Sequence, residues 1–447
     1  MTAARQFAES LFDAAVRAAD PYAATQSALE GRTLGARPWI IAAGKAAIPM
    51  ARAALDAFAS ARRIPAGGVV IAPTLAADVT PLMAVAGDHP LPGERSQAAS
   101  DALGTAVRLV RPGDDVLVLL SGGASSLMAA PVDGISSGAM HELFRELHRA
   151  GAPIDVMNAF RKRVMRWSAG RLAVALGGAT ITVLIASDVI GDDPAAIGSG
   201  PCSGDRWRAA DLIELAHRLR LGPFLPDDVQ AYLDRTLSGE VAETPKPGSP
   251  ALAAVATRII LGNRHALEGI AQAGARVGLP VRVAPTPITG RASSIGAAIA
   301  SAAVAARGSA HAQAGHAQTT RPLNVPCRLA LVWGGETTVP LPADALGTGG
   351  RAQELALAAA QALHERGAEA RGITILAAGT DGRDGPTDAA GAVVDANTWT
   401  RIALAGRSPL RDLEGHDAYP ALDAAGALLR TGATGTNVND VVIALVD

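Results

Sequence analysis

The sequence predicts an α/β fold in which strands buried on both faces alternate with helices. Several short apolar runs are continuous rather than alternating, which is typical of strands in a parallel sheet covered on both sides. Each run leads into a polar, often glycine-rich segment, and in open α/β sheets ligands bind beyond the carboxyl ends of the strands. These segments are therefore the candidate functional loops. The clearest runs are residues 38–43, 116–120, 180–187, 259–262, 329–333 and 373–378.

Composition limits the class of protein. The 447 residues are enough for two or three domains. The chain is 49% hydrophobic and 3% aromatic with 48 glycines, a balance that suits small side chains at helix–sheet contacts. The formal charge of -2 comes without a dense basic patch, which argues against a nucleic-acid partner. Two cysteines, Cys202 and Cys327, form neither a disulfide framework nor a zinc pattern.

No segment indicates export or membrane insertion. The first twenty residues predict an amphipathic helix that contains acidic residues, which is unlike a secretory signal. No uninterrupted apolar stretch is long enough to span a bilayer. We therefore expect a cytoplasmic protein without a membrane partner. The sequence leaves the oligomeric state open, with a homodimer as one option.

The order of patterns predicts two α/β units. A helix is expected over residues 3–30, and a doubly wound unit over residues 38–220. A proline-rich linker or surface loop follows over residues 232–249, and a second unit begins beyond Val325. The strands of the first unit are expected near residues 38–43, 68–72, 82–86, 116–120 and 180–187. The later elements are expected to be a strand near 258–262, a helix over 266–277, strands near 329–334, 373–378 and 440–446, and a helix over 353–366.

Residues 308–324 are polar and low in complexity, which predicts a flexible surface segment. His311 and His316 within it could be metal ligands, but a solvated loop is the favoured interpretation. We expect this segment to take no part in the chemistry.

The loop after residues 373–378 carries the strongest chemical signal. Asp381, Asp384 and Asp388 lie close together in it, between glycines. Carboxylates at this spacing repel one another unless Mg²⁺, or a nearby arginine or lysine, lies among them. The glycines would let backbone N–H groups approach a ligand. The alternative is a solvated turn in which the aspartates form Asx-turns and helix caps.

Lys45 and residues 121–126 follow two of the predicted strands. A lysine in a first helical turn opposes the helix dipole, so we favour an anion-binding role for Lys45 over a surface position. The 121–126 segment opens onto a predicted helix whose free N–H groups could bind an anion, or it is a plain turn with a helix cap. Another acidic loop lies at residues 188–193.

Two common nucleotide signatures are absent from the sequence. It contains neither G-x-x-x-x-G-K-[ST] at Lys45 nor G-x-G-x-x-G after the first strand, so neither an ordinary P-loop kinase nor an ordinary nicotinamide enzyme is indicated. Arg351 follows two glycines and either pairs with Glu354 on the surface or makes a bidentate contact with a carboxylate or phosphate. Anion-binding loops, a lysine and carboxylates are together the parts of a phosphoryl-transfer site.

Eight segments carry a family resemblance in order over essentially the whole chain: IAAGKAA, AGDHPLP, SGGASSLMAAPVDGI, ASDVIGDDPAAIGSGPC, WGGETTV, GTGGRAQELALAAA, AAGTDGRDGPTDAAGAVVD and GTNVNDVVIAL. They resemble the glycerate 2-kinase family, also called the MOFRL family, some members of which are labelled hydroxypyruvate reductase. The resemblance implies an N-terminal Rossmann-like domain over residues 1–250 and a C-terminal MOFRL α/β domain over residues 251–447, with the active site in the cleft between them. It also implies ATP- and Mg²⁺-dependent phosphorylation of D-glycerate to 2-phosphoglycerate.

The resemblance and the loop chemistry together give roles to particular residues. By motif, Lys45 and Arg351 would be the key cationic catalytic residues, and Asp188 is the candidate for contact with the substrate hydroxyl or the metal. The nucleotide-binding candidates are Ser121, Gly122, Gly123, Ala124, Ser125, Ser126, Gly379 and Thr380. The candidates for binding the hydroxy acid are Arg161, Asn263 and Glu336, and those for binding Mg²⁺ are Asp381, Asp384 and Asp192.

The chain departs from the family pattern within several of these motifs. The departures are Arg163 for histidine, Met165 for serine, Ser168 for lysine, Ile190 for proline, Arg291 for glutamate and Ala352 for asparagine. They leave open a hydroxy acid other than glycerate. One rival function is a hydroxypyruvate reductase using NAD(P)H, which the missing dinucleotide signature disfavours. Another is a non-catalytic sensor of a sugar acid, which the intact Lys45 and 381–388 motifs disfavour.

Overall fold

The computed structural model describes residues 2–447 apart from 33–34, 36, 76, 222–224, 315–324 and 342–346, and for residues 309–314 it describes the backbone alone. The chain divides into two compact units. The first unit is Pro21–Ile260, and the second combines residues 1–20 with Leu261–Asp447. Each unit contains a sheet and helices, so the predicted α/β fold class is confirmed.

The predicted strands are all present, among further strands and helices that the sequence analysis did not predict. The strands are β1 (Pro38–Ala43), β2 (Gly67–Ala72), β3 (Met83–Ala86), β4 (Asp115–Ser121), β5 (Thr180–Ala186), β6 (Val255–Leu261), β7 (Val281–Val283), β8 (Ile288–Arg291), β9 (Leu329–Thr338), β10 (Ile373–Gly379), β11 (Gly391–Asp395), β12 (Leu428–Leu429) and β13 (Asp440–Val446). The helices are α1 (Ala3–Ala18), α2 (Pro21–Leu29), α3 (Ala47–Ser60), α4 (Glu94–Leu109), α5 (Ala124–Leu127), α6 (Ser137–Arg149), α7 (Ile154–Val164), α8 (Arg171–Ala175), α9 (Ala209–Arg218), α10 (Asp227–Leu237), α11 (Asn263–Arg276), α12 (Ala292–Ala314), α13 (Arg351–Arg366), α14 (Thr398–Leu404), α15 (Pro409–Glu414) and α16 (Ala418–Ala424).

The sheet of the first unit brings its functional loops to one edge. Its strand order is β3-β2-β1-β4-β5-β6, and the pairings from β3 through β5 are all parallel. Ser121 at the end of β4 pairs with Ala186 at the end of β5, and Ala43 at the end of β1 lies opposite Leu120. Because these strands run in one direction, the loops that follow them lie side by side.

Four helices of the first unit share a separate apolar core. Leu143 of α6, Phe160 of α7, Leu212 of α9 and Leu233 of α10 are fully buried in this helical layer. Residues 232–237 of the predicted linker or surface loop belong to α10, and the segment that follows is held to this layer.

The contact that holds this segment is electrostatic. Arg163 of α7 is fully buried and forms a salt bridge with Glu243, and Glu243 also accepts a hydrogen bond from the main-chain N–H of Ala209 (2.9 Å). A buried guanidinium requires a counter-charge. Asp205 (3.7 Å) and Glu243 together supply that charge, and the bond to Glu243 ties the segment after α10 to α7.

The sheet of the second unit is mostly antiparallel. Its order is β12-β11-β10-β13-β9-β7, with β8 beside β9. The pairs β11–β10, β10–β13 and β13–β9 are antiparallel, whereas β7 and β8 run parallel to β9. The prediction of a parallel sheet for the runs that form β9 and β10 is therefore wrong. Their apolar runs are continuous because helices α12 and α13, and also α1 and α11, pack on the sheet and bury both of its faces.

The first thirty residues form two helices, so the prediction of one helix over residues 3–30 is wrong. Pro21 begins α2, and a proline there has no N–H to continue the preceding helix. Helix α1 packs against α11, where a Cβ on Gly269 would stand 2.4 Å from the Cβ of Ala18. The small residues let the two helices approach closely.

The compact units differ from the predicted domain limits at two places. Residues 1–20 pack with the second unit, and the division after Ile260 lies beyond the predicted limit at residue 250. The N-terminal domain over residues 1–250 and the C-terminal domain over residues 251–447 stay a prediction.

The predicted surface segment 308–324 is only partly described. Helix α12 continues to Ala314, which suits its alanine-rich sequence. Residues 315–324, with His316, lie outside the described residues, and so does the side chain of His311. Cys202 and Cys327 are both buried. Among the helices that are described, none has the length and apolarity of a membrane span.

Candidate active site

Gly44 and Lys45 form a tight turn between β1 and α3. The main-chain N–H of Lys45 donates to the carbonyl oxygen of Gly122 (2.9 Å), and the N–H of Ala46 donates to Oγ of Ser121 (2.9 Å). Gly44 has a φ of +129°, and a Cβ there would stand 2.1 Å from Ser121 Oγ. These contacts bind the turn to the end of β4, while the Lys45 side chain is exposed.

His89 lies beside Lys45 at this edge. Cδ2 and Nε2 of His89 and Cγ of Lys45 come within 2.9, 3.0 and 3.4 Å of the place that a Cβ on Gly123 would occupy. Gly123 therefore leaves the space that both side chains use. Partial burial and the charge of Lys45 lower the pKa of His89 below its usual 6.5, so its imidazole is neutral at pH 7.

Asp188 joins the same edge from the end of β5. It fits against Gly122, where a Cβ would stand 1.8 Å from Asp188 Oδ2. Asp192 lies further along this loop, half-buried and with a φ of 52°, and its N–H donates to the carbonyl oxygen of Val189 (3.1 Å). The structure thus brings Asp188 to the Gly122 turn and places Asp192 in a separate turn.

The 121–126 segment forms a glycine turn followed by helix α5, which begins at Ala124. Ser125 Oγ lies 2.9 Å from Ser199 Oγ, and Ser126 Oγ donates to the carbonyl oxygen of Gly123 (3.1 Å). The hydroxyl groups of both serines therefore have partners within the protein. An anion at this loop would depend on main-chain N–H groups.

Arg161 belongs to the helical layer of α6, α7, α9 and α10. Its guanidinium carbon lies 5.1 Å from the centroid of the Phe144 ring, and burial lowers the pKa of Arg161. The aromatic ring supports the guanidinium from one side.

The residues that depart from the family pattern fall into two groups, buried and exposed. Arg163, Met165, Ser168 and Ala352 are buried, whereas Ile190 and Arg291 are exposed.

In the second unit, Asp440 lies where three strands meet. As the first residue of β13, it pairs with Gly379 at the end of β10 and with Gly335 in β9. Glu336 follows Gly335 directly. Because both neighbours are antiparallel to β13, the start of this strand lies beside the carboxyl-terminal parts of β9 and β10.

Arg351 is bound to two acidic residues at this edge. Its Nε and Nη2 donate to the two oxygens of Asp440 at 2.6 and 3.0 Å, and its Nη1 donates to Glu336. Burial disfavours the charge, but the hydrogen bonds to Asp440 and the nearby negative charges raise the pKa of Arg351. The pair with Glu354, which was the alternative, is not formed: Glu354 Oε2 contacts His416 Nδ1 at 2.7 Å.

Asp384 is buried at the start of α13. Its Oδ1 accepts the N–H of Ala352 (3.2 Å) and its Oδ2 accepts the N–H of Gln353 (2.8 Å). Burial and the neighbouring Asp440 raise the pKa of Asp384 to about 7, although the two backbone hydrogen bonds and Arg351 act in the other direction. The side chain thus serves as a helix cap, but it is buried and does not belong to the solvated turn that the alternative described.

Asp381 and Asp388, the other carboxylates of this loop, have different surroundings. Oδ1 of Asp381 and Oδ1 of Asp440 come within 3.2 and 3.4 Å of the place that a Cβ on Gly379 would occupy. Asp388 is exposed and pairs with Arg430 at 3.1 Å. The loop therefore separates its three aspartates. Within the described ranges, no group of three or more His, Cys, Asp and Glu side chains could hold a metal ion alone.

Thr380 and Asn263 hold the segment that precedes β13. Oγ1 of the fully buried Thr380 donates to the carbonyl oxygen of Asn439 (2.7 Å) and accepts the N–H of Val438 (2.9 Å). Nδ2 of Asn263 donates to the carbonyl oxygens of Val438 (2.7 Å) and Asp440 (3.1 Å). Both side chains thus fix the position of Asp440.

Sequence reasoning missed two members of these clusters, Asp440 and His89. Both lie in segments that carry the family resemblance, GTNVNDVVIAL and AGDHPLP. An aspartate directly before an apolar run was the available signal for Asp440. This signal can be interpreted only when the strand directions are known. The start of a strand lies beside the carboxyl ends of its neighbours only when it runs antiparallel to them.

Two family descriptions match successive parts of the chain. Residues 7–234 match a domain of unknown function, DUF4147. Residues 329–440 match the MOFRL family. The two matches follow the order of the units in the chain.

The chain is also similar to individual proteins over nearly its full length. It is 34% identical to a glycerate 2-kinase of Pyrococcus horikoshii, over 99% of this chain and 97% of that protein. It is 36% identical to an Agrobacterium vitis protein provisionally named hydroxypyruvate reductase, over 99% of this chain and 94% of that protein. Its fold resembles the crystal structure of a glycerate kinase from Thermotoga maritima, with a TM-score of 0.83, 31% identity and 99% coverage of both chains.

Proposed function

The chain belongs to the glycerate 2-kinase (MOFRL) family, and from this membership we propose that it transfers the terminal phosphoryl group of ATP to the 2-hydroxyl of D-glycerate or a close relative. The observation that carries the proposal is the similarity to a glycerate 2-kinase over 99% of the chain. The hydroxyl oxygen forms a bond to the γ-phosphorus, the bond from that phosphorus to the bridging oxygen breaks, and the hydroxyl proton is released. The products are 2-phosphoglycerate and ADP.

Lys45 is the proposed cation of the first unit. Its turn is fixed to the end of β4 by main-chain hydrogen bonds, and its amine is exposed. A lysine presented in this way adds a point charge for a phosphate. Asp188, which lies against Gly122 at the same edge, is the proposed contact for the substrate hydroxyl or the metal.

Arg351 is the proposed cation of the second unit. A guanidinium has five N–H donors in a planar fork. Asp440 and Glu336 accept three hydrogen bonds from Arg351, which leaves two donors for an oxygen of the transferring phosphoryl group. Both oxygens of Asp440 accept hydrogen bonds from the guanidinium, so its plane is fixed and the remaining N–H donors have a fixed direction. Donors fixed in this way favour electrostatic stabilisation of a transition state.

Mg²⁺ is the proposed companion of ATP. The edge of the second sheet carries Asp381, Asp384, Asp440 and Glu336 near the guanidinium of Arg351. Phosphate and carboxylate groups of the substrates would add negative charge there, so a cation is needed to offset the repulsion. Mg²⁺ prefers oxygen ligands and commonly combines one or two carboxylates with phosphate oxygens and water. It would neutralise charge on the transferring phosphoryl group.

Asp381 is the favoured ligand for this Mg²⁺. Both oxygens of Asp384 already accept main-chain hydrogen bonds, and Asp440 is engaged by Arg351. Asp381 is half-buried, and its Oδ1 accepts one hydrogen bond, from the main-chain N–H of Arg383 (3.0 Å). Asp192 stays the candidate of the first unit.

The remaining assignments concern the nucleotide and the hydroxy acid. We assign the phosphates of ATP to the main-chain N–H groups of residues 121–126. The main-chain N–H groups of the other two candidates, Gly379 and Thr380, donate to the carbonyl oxygens of Ala390 (2.8 Å) and Asn439 (3.1 Å), so these two residues do not offer N–H donors to ATP. Arg161, Asn263 and Glu336 stay the candidates for binding the hydroxy acid. Since Ile190 and Arg291 are the exposed departures from the family pattern, any change of substrate is expected to involve them rather than the buried ones.

The assay for this function combines the protein with ATP, MgCl₂ and a panel of three- and four-carbon hydroxy acids. ADP release is measured, and phosphorus NMR identifies the product. We expect ADP release with D-glycerate and a phosphomonoester at carbon 2, with Lys45→Ala as the control for contaminating kinases. Reduction of hydroxypyruvate by NAD(P)H without ADP release from any acid would overturn the proposal, and binding without turnover would indicate a sensor.

A further inference from the structure

Helix α13 begins without a capping side chain of its own. The residue before it is Gly350, which has no side chain to accept an N–H. The first N–H groups of an α-helix have no partner within the helix and need one from elsewhere. Asp384, from the loop after β10, accepts the N–H groups of both Ala352 and Gln353. One carboxylate thus replaces the local cap.

The glycines on either side make this contact close. A Cβ on Gly350 would stand 2.2 Å from Cγ and Oδ1 of Asp384, and a Cβ on Gly385 would stand 2.3 Å from the carbonyl oxygen of Gly349. The backbone of residues 349–350 therefore lies directly against the loop that carries Asp384. This approach is possible only without side chains at these two positions.

Asp384 itself is firmly held. Its N–H donates to the carbonyl oxygen of Ala389 (2.8 Å), and its carbonyl oxygen accepts hydrogen bonds from Thr387 Oγ1 (2.8 Å) and Gln353 Nε2 (3.3 Å). The carboxylate is 4% exposed. A buried group with this many partners has one position, so it can define the position of the helix start.

Arg351 is the first residue of α13, immediately before the two capped N–H groups. Its guanidinium meets Asp440 at the far end of the side chain, while its backbone is set by the first helical turn. We propose that Asp384 is a positioning residue for Arg351: it fixes the start of α13, so that the guanidinium reaches Asp440 with two donors directed to the substrate. This inference rests on the role proposed for Arg351.

Loss of the cap is expected to lower the reaction rate strongly and the stability of the fold only modestly. A misplacement of about 1 Å in a catalytic group can cost on the order of 10²-fold in rate. Asp384→Asn keeps the shape of the side chain but leaves it one acceptor oxygen instead of two. The NH₂ group that replaces the other oxygen is a donor and cannot accept the second main-chain N–H. Asp388→Asn is the matched control, because Asp388 lies in the same loop but pairs with Arg430 at the surface.

The first experiment measures hydrogen exchange, which does not depend on any activity. In Asp384→Asn the amides of residues 352 and 353 are expected to exchange about ten-fold faster than in the unmodified protein. They should be unchanged in Asp388→Asn. Unchanged exchange in Asp384→Asn would overturn the capping role whether or not the protein phosphorylates glycerate.

The second experiment is a double-mutant cycle on kcat with Arg351→Lys. If Asp384 acts through Arg351, Asp384→Asn should lower kcat at least ten-fold with little change in the KM for ATP, and should have little further effect in the Arg351→Lys background. Equal effects in both backgrounds would overturn the inference. A lowered rate that excess Mg²⁺ restores would also overturn it, because Asp384 would then be a metal ligand.

Two further outcomes are distinguishable. If no glycerate is phosphorylated but exchange at residues 352 and 353 rises, the proposed function fails and the capping role stands. If Asp384→Asn does not fold, Asp384→Ser is used in both experiments, because serine keeps one oxygen acceptor suited to a helix start. The proposal is then judged by the same two results, the exchange rates of amides 352 and 353 and the change in kcat with and without Arg351→Lys.

Discussion

At the scale of single residues, several glycines are required because a neighbour's polar atom occupies the place of their Cβ. Asp188 lies against Gly122, Asp384 against Gly350 and Ser121 against Gly44, each with an oxygen atom 2.2 Å or less from the Cβ position. From the sequence, glycines such as Gly122 were candidates for binding a ligand. In the structure they also admit the protein's own side chains.

The clearest test of a single residue is Lys45→Ala. Loss of an electrostatic group directed at the transition state commonly lowers the rate by on the order of 10²-fold. We expect a decrease in kcat of at least that size, with an unchanged unfolding midpoint. Arg52→Ala removes an exposed positive charge from the neighbouring helix α3 and serves as the control. Near-normal kinetics for Lys45→Ala would make Lys45 a surface residue.

Glu243 predicts a dependence of stability on pH. Burial alone would raise its pKa, but hydrogen bonds from Ala209 and Thr244 and the guanidinium of Arg163 lower the pKa from 4.5 to about 2. Since the folded-state value is the lower one, the stabilisation by Glu243 is complete above about pH 4.5 and is lost as the pH falls towards 2.

Urea unfolding of Glu243→Gln at pH 7 and at pH 3 measures this effect. The variant should be less stable than the unmodified protein at pH 7, and the difference should shrink at pH 3. Glu240→Gln, in an exposed pair with Arg235, should show little difference at either pH. A difference that grows on acidification would contradict the assignment.

At the scale of elements, the position of β13 determines the candidate site of the second unit. The strand starts at Asp440, and the segment before it is held by Thr380 and Asn263. Any shift of this start would move the carboxylate that binds Arg351. The precision of the site therefore depends on hydrogen bonds to main-chain atoms far from it in sequence.

Asn263→Ala tests this dependence. Its side-chain amide donates to two main-chain carbonyl oxygens, and leaving buried acceptors without partners costs about 1–3 kcal/mol. We expect the free energy of unfolding to fall by an amount in that range and kcat to fall with it. Asn397→Ala, at an exposed position, is the control. A raised KM for glycerate with unchanged stability would instead support direct substrate binding by Asn263.

The loop of residues 381–388 predicts how activity depends on Mg²⁺. EDTA should abolish phosphoryl transfer, and Asp381→Asn should raise the Mg²⁺ concentration that gives half of the maximal rate. Asp388→Asn should leave that concentration unchanged, because Asp388 pairs with Arg430. Full activity in EDTA, or an unchanged Mg²⁺ requirement in Asp381→Asn, would exclude the loop as a metal site.

At the scale of the whole molecule, both units gather polar residues at a sheet edge, but by different geometries. In the first unit parallel strands bring Lys45, Asp188 and residues 121–126 together at their carboxyl ends. In the second unit antiparallel strands bring the start of β13 beside the ends of β9 and β10. Arg351 then joins them from α13.

Residues 315–324 should be dispensable for activity. Their polar, low-complexity sequence has no apolar periodicity, and surface segments tolerate changes of length at small cost. Replacing them with a short Gly/Ser linker should leave kcat within a few-fold and the unfolding midpoint unchanged. Collapse of activity in a variant that still folds would show that this segment contributes to the site or to a partner contact.

The sequence by itself determined the α/β class, most strand limits and the family. Apolar runs such as 373–378 are local signals of burial on both faces, and the ordered motifs are carried by the chain itself. It also placed Lys45 and Arg351 at the starts of helices that follow polar loops. These inferences needed no knowledge of which elements are neighbours in space.

Only the tertiary structure decided how the strands of the second unit are directed and which groups surround Arg351. A continuous apolar run reports burial, and burial is the same for parallel and antiparallel strands. The contact between Arg351 and Asp440 joins residues 89 positions apart, and the cap that Asp384 gives to α13 comes from 31 or 32 positions away. Such partners are set by long-range strand pairing and helix packing, so no local pattern in the sequence could identify them.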